Sequence, residues 1–496
     1  MTNRREFLKT SCRALSMTAL ATQLGHFGLL SAFAQKSRSS RNASGGESTA
    51  PPNDYKALVC ILMYGGNDGN NTIIPNHNDA SISNYAAYNA ARAPQGLALP
   101  QSALLPITVP RMGGLTYGLH PAFGTVAGGI NGGLHELWTL GKMAVVTNVG
   151  TLVQPLTRQQ YQSGSAPRPL QLFSHSDQMA QQQSARADAT SLSGWGGRIS
   201  DKMTVPANPN GIVPTITGTG GSLFGFGEVM QPLAIGPAPT PLNNILAIAG
   251  DTNTPVANAR LNALVQSMNL SSTSELVVAS SQINRTAMQI RNALGNIPEV
   301  TVAFPNTEIG NQLKQIARLI RGRSVLAVNR QIFFCVLNGF DTHTTQLGEQ
   351  DRLLGQVSQA SRAFYEEMVA QGLQNQVTQF TLSDFNRTFN PGGSGALVGS
   401  DHAWANHMMV IGGGVIGGDF YGVNTSNGTP FPTLVQNGPD DADGGSNARG
   451  RWIPTTSVEQ YAATLAKWFG LPDEDRGYVF PNLPNFTTPN LGFMTA

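Results

Sequence analysis

Short uninterrupted apolar runs, each closed by turn-forming residues, recur along the chain: Ala57–Met63, Met143–Val149, Gln331–Leu337, Gln379–Leu382 and Met408–Ile411. Because they are continuous rather than alternating, they predict strands covered on both faces. Between them the period changes. Ile309, Leu313, Ile316 and Ile320, and then Leu347, Leu354, Val357, Phe364 and Met368, are spaced for one face of a helix. A last helix is bracketed by Ser457 and Gln460, a capping-box pair, and by Gly470 and Pro472, which stop it. The combination predicts an α/β fold, a sandwich of helices around a mostly parallel central sheet.

Two stretches break this pattern. Residues 35–53 (QKSRSSRNASGGESTAPPN) hold almost no apolar side chain and predict a flexible linker, so that the folded domain spans 54–496. Residues 151–305 are rich in Gly, Thr, Asn and Pro and then helical from about Val256 to Leu294. That region is expected to be an insertion or cap over the sheet. No internal repeat of solenoid period is visible.

Ahead of the linker, Asn3-Arg4-Arg5-Glu6-Phe7-Leu8-Lys9 leads through a weakly apolar stretch to Ala32-Phe33-Ala34. Residues 1–34 are similar to a twin-arginine (Tat) signal peptide with an A-x-A cleavage site, which implies a periplasmic or secreted protein and the Tat translocase as a partner during export. Thr18, Gln23 and His26 interrupt the apolar part, so no stable membrane span is expected. Only 12% of the 496 residues are charged, with a net charge of +2, and cleavage would remove Arg4, Arg5, Lys9, Arg13 and Glu6. A chain so close to neutral lacks the basic surplus of a nucleic-acid binder. Cys12 leaves with the signal. Cys60 and Cys335, inside apolar runs, are expected to be small core residues, with a disulfide between them left open.

The histidines cluster. His343, His402 and His407 share the window from Asp341 to His407 with Asp341, Asp384 and Asp401. Asp341 and His343 (GFDTH) follow the run Gln331–Leu337, Asp384 (LSDFNRT) follows Gln379–Leu382, and Asp68 (YGGNDGNN) follows Ala57–Met63. In a parallel sheet such loops open at the carboxyl edge, the usual place for a site. Carboxylates offset a cation's charge and neutral imidazoles fix its geometry, so the set predicts a hydrolytic metal centre. The competing reading makes each Asp a turn or helix cap and each His an ordinary loop residue. Arg387, in the loop of Asp384, could clamp an oxyanion through its forked donors or make a surface salt bridge. Gly412 to Gly417 satisfies G-x-G-x-x-G, but the residues after it do not open a helix, so a dinucleotide site is not expected. The absence of G-x-S-x-G argues against an α/β-hydrolase esterase.

GGNDGNNTIIP at Gly65–Pro75, GLHPAF at Gly118–Phe123, FSHSDQ at Phe173–Gln178, GFDTHTTQ at Gly339–Gln346, LSDFNRT at Leu382–Thr388, GSDHAWANHMMVIGGGVIGG at Gly399–Gly418 and TSVEQYAATLAKWFGL at Thr456–Leu471 resemble, in order, the family known as domain of unknown function 1501 (DUF1501). The resemblance implies the three-layer fold of the alkaline phosphatase and sulfatase superfamily, with one or two divalent ions (Zn, Ca, Mg or Mn) at the carboxyl edge. It implies that Asp341, His343 and His402 hold a first ion, and that Asp68 and Asp384 belong to a second. Phe385 stands where a His should follow Asp384, and Asp401 could compensate. The superfamily also implies a nucleophile at a helix start, where backbone N–H groups favour an anionic oxygen. Ser174, beside His175, is the candidate, and Thr72 a second. Aligning His175 with the superfamily's basic residue would instead put Gln171 in the nucleophile's place.

Two classes of function remain. One is an exported metal-dependent hydrolase acting on small anionic phosphate or sulfate esters, and the other a binding or assembly protein on a degraded phosphatase-like fold.

Overall fold

A computed structural model describes residues 54–125, 132–209, 216–218, 222–243, 254–269 and 275–496. The signal peptide and linker expected over 1–53 lie outside the described residues, as does part of the 151–305 region. The strands are β1 (Lys56–Tyr64), β2 (Ile73–Pro75), β3 (Leu105–Val109), β4 (Leu115–Leu119), β5 (Met143–Gly150), β6 (Ile216–Gly218), β7 (Leu233–Ala234), β8 (Arg330–Asn338), β9 (Val377–Ser383), β10 (Asn406–Ile411), β11 (Phe420–Tyr421) and β12 (Thr456–Ser457). All five strands expected from the apolar runs are present, within two residues at each end.

The main sheet runs β11-β5-β10-β9-β1-β8-β6-β7, with β12 also paired to β5; β2, β4 and β3 form a small antiparallel sheet. Only β10 opposes the other strands of the main sheet: it is antiparallel to β5 and β9, while β8 and β9 flank β1 in parallel. This is a mixed α/β sandwich with a mostly parallel sheet.

The continuous apolar runs follow from burial on both faces. Along β1, Val59, Ile61 and Met63 enter one core while Leu58, Cys60 and Leu62 enter the other, as pleating requires. Ile309, Leu313 and Ile316 of the helix Glu308–Arg321, and Leu354, Val357 and Phe364 of the helix Gln346–Ala370, fill the first core. The second takes Trp195 and Ile199 of the helix Trp195–Ala207 and Tyr461 and Leu465 of the helix Val458–Phe469. That last helix has the expected capping box at Ser457 and Gln460 and ends on Gly470 at φ 106°. Each large apolar side chain enclosed in this way contributes roughly 1.5–3 kcal/mol.

The 151–305 region departs from the expectation. It does not simply cover the sheet: β6 and β7 extend the sheet beyond β8, and its helix His175–Ser184 reaches the carboxyl edge. Short strands joined through tertiary pairing carry too little pattern of their own to be seen in advance. Cys60 and Cys335 are free and buried in opposite cores, so the disulfide left open does not form. Among the described residues no helix is long and apolar enough to cross a membrane.

Candidate metal centre

Strands β1 and β8 end in register at Tyr64 and Asn338, β9 ends one residue earlier with Ser383 opposite Met63, and the loops that leave them are tied together. The Phe340 N–H donates to the Tyr64 carbonyl at 3.1 Å, the Gly65 N–H to Asp384 Oδ1 at 3.1 Å, and the Asn67 N–H to Ser383 Oγ at 2.8 Å. Gly65 and Gly66 are required there, with φ of 115° and 86°. A Cβ on the first would stand 2.4 Å from the Asp341 nitrogen, and on the second 2.6 Å from the Phe385 ring. Because β10 is reversed, it starts at the edge where its neighbours end. Asp401 and His402, just before it, therefore arrive beside Asp341 and Asp384. The loop after β5 brings His175 to the same edge.

Three imidazoles surround one oxygen. Asp341 Oδ1 lies 3.3 Å from His175 Nε2, 3.2 Å from His343 Nε2 and 3.5 Å from His402 Nε2. Each ring's other nitrogen is committed elsewhere: His175 Nδ1 donates to Asp384 Oδ2 at 2.8 Å, His402 Nδ1 to the Phe173 carbonyl at 2.7 Å, and His343 Nδ1 to Asp401 Oδ1 at 3.0 Å. For His175 and His402 such partners fix the tautomer that leaves Nε2 with its lone pair facing the cluster, where the His402 nitrogen accepts from His343 Nε2. His175 Nε2 is buried and makes no hydrogen bond. The donor atoms of His175, Asp341 and His402 all lie within 4.8 Å of one another. Two neutral imidazoles and one carboxylate are the donors a borderline divalent cation of the zinc class takes, so the residues fit such an ion. His343 stands at the open margin, its Nε2 2.9 Å from that of His402.

The surrounding charges keep the acids ionised. Burial pushes the Asp341 carboxyl up, but the Arg387 guanidinium outweighs it and brings the group to about 2. Burial likewise raises and Arg449 lowers Asp401, with a net fall. His175 is raised, chiefly by its hydrogen bond to Asp384, whereas burial lowers His402.

Several expected roles fall to other groups. Asp68 is not in the cluster: it is buried, caps the turn Gly69–Thr72 by accepting from the Asn70 N–H at 3.0 Å, and pairs with the buried Arg92 while accepting from Gln346. With its oxygens so occupied, it does not serve as the expected metal ligand. Asp384 orients His175 instead of facing a cation, and Asp401 orients His343 and pairs with Arg449. Arg387 is fully buried and donates to the carbonyls of Gly65, Gly66, Phe340 and Ser400 as well as to half-exposed Asp341; of its two expected roles the ion pair is the one seen, made from inside the protein, and its donors point to these groups and not to an open anion site. The Ser174 hydroxyl donates to Asp177 Oδ2 at 2.6 Å. Thr72 is buried and donates to the Asp68 carbonyl at 2.7 Å. Gln171 sits in a turn at φ 44°. His407 is buried away from the cluster and stacks on Phe431.

Sequence reasoning missed Arg92, Arg449 and the inward-facing nitrogen of His175. FSHSDQ marked the right segment, but only the fold shows which atom faces the cluster. A model of the family described as Protein of unknown function (DUF1501) matches residues 142–431. No curated protein matches the chain. Among solved structures, it is similar to Ps i-CgsB in complex with k-i-k-neocarrahexaose at 9% identity and a TM-score of 0.29, covering 88% of this chain and 77% of that one. It is similar to the PsFucS1 sulfatase from Pseudoalteromonas sp. at 9% identity and a TM-score of 0.27, covering 80% and 68%. A mutant of the alkaline phosphatase PafA follows at 10% and 0.26, covering 68% and 64%.

Proposed function

The chain belongs to the DUF1501 family, and from that premise we propose that it is an exported, metal-dependent hydrolase of phosphate or sulfate esters. The observation that carries the reading is the convergence of His175 Nε2 and His402 Nε2 on an Asp341 oxygen, each imidazole held by a separate acceptor. A divalent cation at that point supplies Lewis-acid polarisation of an ester oxygen. Asp341, His175 and His402 hold it, and His343 lines the open side. Asp384 and the Phe173 carbonyl keep the two inner rings in the right tautomer. Ser174, next to His175, is the attacking hydroxyl, and Asp177, 2.6 Å away, is placed to take its proton. Export through the Tat pathway, with residues 1–34 removed, belongs to the same proposal.

The test is to purify the full chain, measure its metal content and assay 4-nitrophenyl phosphate and 4-nitrophenyl sulfate. The parent should carry a divalent cation and turn over at least one ester, and His402→Ala should lose both. A parent without metal would sink the reading. A metal-loaded parent inert towards both esters would favour a binding or assembly protein. The commitment of Arg387 to four carbonyls and to Asp341 supports that second reading, since a catalyst of anionic esters gains from a free guanidinium.

A further inference from the structure

Phe385 packs beside both inner imidazoles, and the three rings form a triangle. Its ring centroid is 4.7 Å from that of His175 and 4.6 Å from that of His402, at interplanar angles of 40° and 32°. The two histidine rings themselves cross edge-on at 4.3 Å and 72°. The side chain is fully buried, and the absence of a Cβ at Gly66 makes room for it. Its guanidinium neighbour Arg387 lies 5.9 Å from its face.

One hydrogen bond at Nδ1 fixes a point on an imidazole but leaves the ring free to rock about that point. A flat side chain packed against the ring removes this freedom, because tilting would open a gap and forfeit dispersion contacts. His402 gains most from such a wall, since its Nδ1 is held by a main-chain carbonyl and its Nε2 meets only the half-exposed His343. We propose that Phe385 is a positioning residue: its ring holds the planes of His175 and His402 so that both Nε2 atoms meet one cation. The inference rests on the cation reading above and concerns what keeps that site in shape. It also accounts for an aromatic residue directly after Asp384, with one residue orienting His175 from its Nδ1 edge and the next from its face.

The experiment compares the full-length parent with Phe385→Leu, which keeps apolar bulk without a flat face, and with Phe385→Tyr, which restores the face. Zn²⁺ affinity is measured by competition with a chromophoric chelator, and the visible spectrum of the Co²⁺-loaded protein reports ligand geometry. Melting in excess chelator checks folding, and Phe385→Met takes the place of Leu should that variant not fold. The flat-face deletion should weaken Zn²⁺ binding by about 10–100-fold, the range for losing a group that orients metal ligands, and should alter the Co²⁺ bands. Phe385→Tyr should recover most of the affinity. A folded Leu or Met variant with parental affinity and spectrum overturns this inference alone. A parent that takes up neither ion overturns the cation reading with it.

Discussion

Asp68 and Asp341 follow neighbouring strands of one sheet, and each lies against a buried arginine, yet they have opposite fates. Asp68 is sealed with Arg92, both side chains fully buried, and its oxygens are further occupied by Gln346 and the Asn70 N–H. Asp341 is 50% exposed, shares Arg387 with four carbonyl groups and faces three imidazoles. Both arginines bond a carboxylate oxygen, Arg387 the same Asp341 Oδ1 that faces the imidazoles, so availability to a ligand turns on exposure and not on an oxygen left without an arginine. The charge count is the same at the two positions. The difference lies in whether water or a cation can reach the oxygen.

Breaking the sealed pair should hurt most. Arg92→Ala leaves a buried carboxylate without its counter-ion and should cost about 3–5 kcal/mol of stability. Denaturant unfolding checks this, and a loss below about 1 kcal/mol would mean that Asp68 is not committed to Arg92.

A third carboxyl sharpens the contrast, because among the described residues no cation is bonded to it. Glu459, at the start of the helix Val458–Phe469, is buried; its Oε1 accepts from the Asn482 N–H at 3.3 Å, and its Oε2 has no hydrogen-bond partner among the described residues. The nearby Arg198 donates to the carbonyls of Ser184, Ser193 and Val479. Burial pushes Glu459 up from 4.5 to about 8. The folded state therefore holds this proton more tightly than the unfolded one. The stabilisation is complete below pH 4.5 and is lost as pH rises to about 8. Glu459→Gln, which cannot ionise, should remove that slope and be more stable than the parent at alkaline pH by about 1–3 kcal/mol. Parallel pH profiles for the two proteins would refute it.

At the open cluster, the same kind of change should touch function and spare the fold. His402→Ala, which removes a direct ligand, should lose the bound metal while melting in chelator stays near the parent's, as equilibrium dialysis and calorimetry can show. Ser174→Ala should be gentlest, within about 0.5 kcal/mol of parental stability, with metal retained and ester turnover reduced. Unchanged turnover would remove Ser174 from the proposed mechanism and leave water as the attacking group.

The strands could be read in advance because burial on both faces leaves an unbroken apolar run, as in β1 and β10. The edge positions of Asp341, His343, Asp384 and His402 were legible for the same reason: each lies in a loop beside such a run. What stayed hidden was the direction of each polar atom. Arg92 neutralises Asp68 from a separate helix, and Arg387 turns inward to carbonyls on three loops, contacts that no local spacing encodes. The 151–305 region was least legible because β6 and β7 gain their identity only by pairing onto the edge at β8.

Cys60 and Cys335 sit on adjacent strands, but their thiols enter opposite cores, and burial pushes both above the usual thiol range. A thiol-alkylating probe therefore reaches each sulfur only when the layer on its own face of the sheet lifts away. The pair times the two faces separately: label mapped to Cys60 and Cys335 arrives together if the sandwich opens as one unit, and at one of them first if a single helical layer peels away.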